Sequence, residues 1–124
     1  MYRALILSFL LLSGYASAHQ FTPTYPKMKQ SHTMGVLTTQ MMLFNSRKDV
    51  SYYSVGVYDA DWNPVDFATS EKLFKVDYLS RKFIDIYIRA NDKNRAVYIC
   101  SRSKILKEHK QVPVISSRIC SKIK

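Results

Sequence analysis

KFIDIYIR, residues 82–89, alternates without a break: Ile84, Ile86 and Ile88 lie on one side, and Phe83, Asp85, Tyr87 and Arg89 on the other. A period of two belongs to a strand with one buried and one exposed face, because successive side chains leave a strand on opposite sides. Upstream, residues 73–78 repeat the pattern with Phe74, Val76 and Tyr78. Residues 51–58 set Tyr53, Val55 and Val57 against Tyr52, Ser54 and Tyr58, with Gly56 marking a bulge or close packing. Residues 36–44 (VLTTQMMLF) read as a buried strand whose Met41 and Met42 fill core, and NSRKD at 45–49 supplies a polar turn.

The flanks fit the same scheme. Residues 21–31 contain Pro23 and Pro26, which confines them to an edge strand or an extended leader. DADWNP at 59–64 has turn chemistry, and residues 65–68 return as a short strand. The aspartates at 59 and 61 lack the glycine and distal glutamate of a calcium loop. NDKN at 91–94 is a turn, AVYIC at 96–100 a strand, and residues 103–111 a basic connector. Residues 112–123 form the last strand, with Ile115, Ile119 and Ile123 on one side and Val114, Arg118, Cys120 and Lys122 on the other. About seven short strands, few helical signals and no repeat predict an all-β, immunoglobulin-like antiparallel sandwich in a single domain.

The first 18 residues have the form of a secretory signal. Arg3 gives a positive start, residues 4–12 are apolar apart from Ser8, and Ala16-Ser17-Ala18 is a small-x-small cleavage site. The apolar run is well short of the roughly 20 residues that span a bilayer. The expected organisation is a signal peptide at 1–18 and a domain at 19–124, exported to a periplasmic or extracellular space. No transmembrane segment is expected after cleavage.

With 19 Lys and Arg against 9 Asp and Glu, the sequence carries a formal charge of +10, and losing Arg3 with the leader leaves +9. Such an excess attracts acidic partners. For an exported protein these are an anionic envelope polymer, lipid head groups or an acidic protein, rather than nucleic acid.

Cys100 and Cys120 are the only cysteines, and in an oxidising compartment an even pair most simply forms one disulfide. The three histidines, at 19, 32 and 109, form no metal-ligand spacing with the cysteines or with one another. There is no G-x-S-x-G nucleophile motif and no glycine-rich phosphate loop, so no catalytic residue, metal or cofactor is assigned. The densest charge lies at Arg102, Lys104, Lys107, His109 and Lys110, followed by Arg118, Lys122 and Lys124. These residues form either a positive binding surface, with nearby tyrosines adding stacking area, or a solvated guard that keeps an edge strand from pairing.

The order of strands resembles the amino-terminal immunoglobulin-like domain of the PapD-like periplasmic pilus chaperones. FTPT at 21–24 looks like the proline-bearing first strand, MMLFNSRKD the second with its asparagine exit, and VGVYDADWNPV the third with its hairpin. FKVDYLSRKFIDIYIR looks like the stretch that ends in arginine, and AVYIC with VPVISSRICSKIK like the last two strands. The likeness covers one of that family's two domains, and the arginine of its first strand has no counterpart at 22–25. The resemblance implies that Cys100 and Cys120 tie the last two strands. It also implies that Val112, Val114, Ile115, Ile119 and Ile123 can take part in strand addition to a protein partner, and that Lys122 resembles the lysine of the basic pair that anchors a partner's carboxyl terminus; Arg118 on the same strand is counted with the partner-binding residues.

The functional expectation is an exported, non-enzymatic, chaperone-like module for protein binding or assembly, using an edge strand and a basic surface. The alternatives are a permanent part of a fibre, secretion apparatus or virus particle, and a small envelope-polymer-binding or inhibitor protein.

Overall fold

The computed structural model describes residues 19–105 and 116–124. Within them are β1 (Gln20–Thr22), β2 (Lys29–Gln30), β3 (Val36–Phe44), β4 (Tyr52–Tyr58), β5 (Leu73–Lys75), β6 (Arg81–Arg89), β7 (Tyr98–Lys104) and β8 (Arg118–Lys122). The one helical element among the described residues is a 3-10 turn at Ala90–Asp92. The sequence-predicted signal peptide lies outside the described residues.

The strands form two four-stranded antiparallel sheets. In the first, β3 pairs along one edge with β1 and β2 and along the other with β6, in unbroken register from Val36 opposite Arg89 to Phe44 opposite Arg81. The second runs β5-β4-β7-β8. Both sheets turn their alternating apolar side inward. Leu37, Met41, Leu43, Ile84, Ile86 and Ile88 of the first meet Tyr53, Val55, Val57, Phe74 and Ile99 of the second in one buried cluster. This is the sandwich that the alternation at 82–89 predicts.

The prolines at 23 and 26 have the effect expected of them. β1 is an edge strand, the Thr22–Pro23 peptide is cis, and the chain then leaves the first sheet and runs along the second. There Thr24 and Pro26 offer their carbonyls to the Lys122 and Lys124 amides at 3.0 and 2.9 Å. One short segment thus borders both sheets.

Several sequence-predicted boundaries move: β5 ends at Lys75 and not at Tyr78, and the last strand begins at Arg118 among the described residues. Residues 65–68 form no strand, because their backbone pairs only at isolated points, Pro64 with Tyr58 and Ala68 with Tyr87, and so bridges the two sheets. The strand expected at 96–100 instead runs to Lys104, which places Arg102 and Lys104 on β7 and not in a connector. Its inner face carries Ile99, then Ser101 and Ser103, both buried. Polar residues at core positions hide the two-residue period from a hydrophobicity reading.

Candidate functional site

β8 ends the second sheet. Its odd residues bond to β7, as the Ser103 amide to the Ser117 carbonyl at 2.9 Å and the Ile123 amide to the Val97 carbonyl at 2.7 Å illustrate. Antiparallel pairing then turns the backbone groups of Arg118, Cys120 and Lys122 to the outer edge. Among the described residues only the Lys122 and Lys124 amides find partners there, on Thr24 and Pro26. Between Ser116 and Cys120 no backbone group of the described residues pairs with this edge, although β1 passes beside β8. Ile119 and Ile123 turn inward and pack, half-buried, against the core, whereas Arg118 and Lys122 are exposed. Val112, Val114, Ile115, Lys107 and Lys110 lie outside the described residues.

The outward face of this sheet forms a grid. Ser54 stands opposite Arg102, which stands opposite Arg118; Gly56 stands opposite Cys100 and Cys100 opposite Cys120; Tyr58 stands opposite Tyr98 and Tyr98 opposite Lys122. Cys100 and Cys120 form a disulfide with Cα atoms 4.0 Å apart, the close approach of a pair that exchanges no ladder hydrogen bonds. The expected pairing on the last two strands is therefore present. Tyr52 opposite Lys104 completes the row nearest the open end.

A hairpin folds Trp62 onto this grid. Asp59 holds the turn, its Oδ1 accepting the Asp61 and Asn63 amides at 2.9 Å each, as the turn chemistry of DADWNP predicts. Trp62 takes a left-handed φ of 66°, uncommon for a bulky residue. Its ring stacks on Tyr98, with centroids 4.2 Å apart and planes within 7°. The Arg118 guanidinium lies 4.7 Å from the Trp62 ring and 5.0 Å from the Tyr58 ring. Cation–π contacts of this kind contribute about 0.5–1 kcal/mol at exposed sites, and here two of them favour this placement of Arg118.

Beneath the sheet, the end of the sandwich near Ser117 is polar. His19, 2% exposed, hydrogen-bonds Ser117 Oγ at 3.0 Å through Nδ1 and Ser101 Oγ at 2.7 Å through Nε2, and packs against the Tyr53 ring. Arg47 grips Asp49 through Nε at 3.0 Å and Nη2 at 2.7 Å, which lowers the Asp49 pKa. Burial, chiefly, raises the Tyr53 phenol to about 12. Burial, reinforced by the Arg47 charge, lowers His19 from 6.5 to about 4. Ser101 is wholly enclosed, so its contact with an imidazole is structural and gives no accessible nucleophile.

The folded state thus keeps His19 neutral while the unfolded chain takes up a proton below about 6.5. The contribution to stability is complete above 6.5, shrinks as pH falls through the window and is gone below about 4. Urea titrations between pH 7 and 4 are expected to show a midpoint that falls more steeply for the wild type than for His19→Gln. Parallel curves would sink the assignment.

At the far end of β8 a cavity of about 370 Å³ is lined by Lys27, Lys93, Lys122 and Lys124 above Met28, Ala96, Val97 and Ile123. No carboxylate side chain lines it. Lys122 stands out in the sequence, whereas Lys27 and Lys93 lie on separate segments that no strand pattern groups with it. Nothing local marks Tyr58 or His19 for a role. For Trp62 the signal was available, since an aspartate-anchored hairpin beside a tyrosine-bearing strand can fold its tip back.

No protein-family model matches the sequence, and no curated protein matches it. Solved structures do. The chain is similar to the E. coli chaperone DraB with a TM-score of 0.64 at 15% identity, covering 86% of this chain and 53% of that one. Similarity to the periplasmic chaperone SfaE gives a TM-score of 0.56 at 15% identity, with 86% and 56% covered. For the ASH / PapD-like domain 7 of human CEP192 the TM-score is 0.54 at 10% identity, with 85% and 81% covered. The chain spans about half the length of the two chaperones and most of the human domain. Its fold is therefore that of a PapD-like, immunoglobulin-like β-sandwich.

Proposed function

We propose that this domain is an exported, non-enzymatic module that binds or assembles a protein partner by accepting a strand along the outer edge of β8. The observation that carries this reading is the outward backbone edge at Arg118 and Cys120, unpaired among the described residues, on the strand whose other end borders the lysine-lined cavity beside Lys122. Main-chain hydrogen bonds supply affinity in strand addition. The lysines at the end of the strand suit a carboxylate, so the partner's terminus is docked there. The chaperone structures DraB and SfaE support a protein-binding role through their shared fold. Among the described residues no helix is long and apolar enough to cross a membrane.

A paired substitution tests the edge. Arg118→Pro removes an outward amide without breaking the ladder to β7, whereas Arg118→Gln removes only the charge. Crosslinking and mass spectrometry on the native exported protein are expected to recover one stoichiometric partner with the wild type and Arg118→Gln. Arg118→Pro, folded and oxidised, is expected to lose it. Undiminished recovery with Arg118→Pro would refute strand addition.

A further inference from the structure

The grid on the outward face of the second sheet has a use that does not depend on the edge of β8. Arg102 and Arg118 are direct cross-strand neighbours, which puts their Cβ atoms about 4.5–5.5 Å apart, and like charges so placed repel. Lys104 is two residues along the same face of β7. Among the described residues none of the three forms an ion pair. A sheet that sets three unneutralised cations together incurs a stability cost that a bound anion would offset.

The space between them is shaped for a small ligand. A depression of about 60 Å³ is bounded by Arg102, Lys104 and Arg118 on one side and by Ser54 and Tyr58 on the other, with Gly56 as its floor. The glycine leaves room for the Tyr58 ring. A Cβ at position 56 would sit 2.7 Å from the Tyr58 hydroxyl, so the phenol lies back over the bare backbone and reaches the depression. The hydroxyls of Ser54 and Tyr58 can then donate beside three cations. Arg118 already lies against two aromatic rings, which reduces the side-chain freedom to be lost on binding.

We propose that this depression binds one tetrahedral oxyanion, a phosphate or sulfate group carried on a larger molecule. The volume matches a compact XO3 group, and a sugar ring or nucleoside carrying that group would lie outside it. Two guanidiniums, an ammonium and two hydroxyls supply more donors and charge than a single carboxylate can use, and they match an anion with three terminal oxygens.

The test uses the oxidised protein at about physiological ionic strength, where diffuse attraction between separated charges is screened beyond about 8 Å. Titration with inorganic phosphate, followed by NMR, is expected to move the amides of residues 54–58 and 100–104. Polyphosphate is expected to bind more tightly than free phosphate if the group is read on a polymer, and no more tightly per phosphate if the free ion is the ligand. Arg102→Gln is expected to weaken either about tenfold, the loss of one charge-assisted hydrogen-bonding group. Lys29→Gln, an equal loss of charge on β2 of the opposite sheet, is expected to change affinity less than about twofold. Equal losses from the two variants, or polyglutamate binding as tightly as polyphosphate of the same charge, would overturn the proposal.

Discussion

Asn45→Ala is expected to lower the free energy of unfolding by about 4 kcal/mol, close to the whole margin of a small domain. Asn45 is completely buried where β3 ends. Its amide donates to the Val50 and Val76 carbonyls at 2.8 Å each, and its Oδ1 accepts the Arg47 amide at 2.9 Å and the Tyr53 hydroxyl at 2.6 Å. Four groups from three chain segments converge on one side chain, and alanine leaves all four without it. Each buried polar group left unpaired costs about 1–3 kcal/mol, partly relieved if water enters. The main-chain hydrogen bonds of residue 45, from its amide to the Ser80 carbonyl and from the Leu79 amide to its carbonyl, survive the change. Urea unfolding followed by fluorescence of the single tryptophan, Trp62, measures the loss. A decrease below about 1 kcal/mol would mean that the knot is dispensable.

Removing the disulfide is the second large perturbation. The bridge closes a loop of sequence separation 20, and the chain-entropy model assigns such a loop about 3 kcal/mol. The double replacement of Cys100 and Cys120 by alanine is expected to lower the urea midpoint accordingly. Because the cysteines lie on the outward face, away from the apolar cluster, the core keeps its packing and native-state circular dichroism should be unchanged. A midpoint equal to that of the oxidised wild type would show that the β7–β8 ladder holds the last strand without help.

The strands legible in the sequence were those whose inner faces are aliphatic. Ile84, Ile86 and Ile88 announce β6, and Tyr53, Val55 and Val57 announce β4, because burial and hydropathy coincide there. β7 was misjudged at its far half because Ser101 and Ser103 occupy core positions and are satisfied by His19 and Ser117. Those partners lie 82 and 14 residues away, and a local pattern carries no trace of them. The disulfide was legible because only two cysteines exist. Where the edge of β8 is unpaired among the described residues was not legible, since that depends on Thr24 and Pro26 crossing from one sheet to the other. Nor was the anion-sized depression, which needs register across β4, β7 and β8 as well as the missing side chain at Gly56.

The segment that borders both sheets also sets a timetable. His19 reaches Ser117 across 98 residues, and Thr24 and Pro26 bind Lys122 and Lys124 over a similar span. β1 meanwhile lies against β3, which is made early in synthesis. A chain emerging from its amino end can assemble β3 with β6 and β4 with β7, but the polar end of the sandwich must stay open until the last residues have arrived. Contacts this distant are slow to close. Sealing that border therefore requires residues 117–124 to be in place, however early the two sheets form.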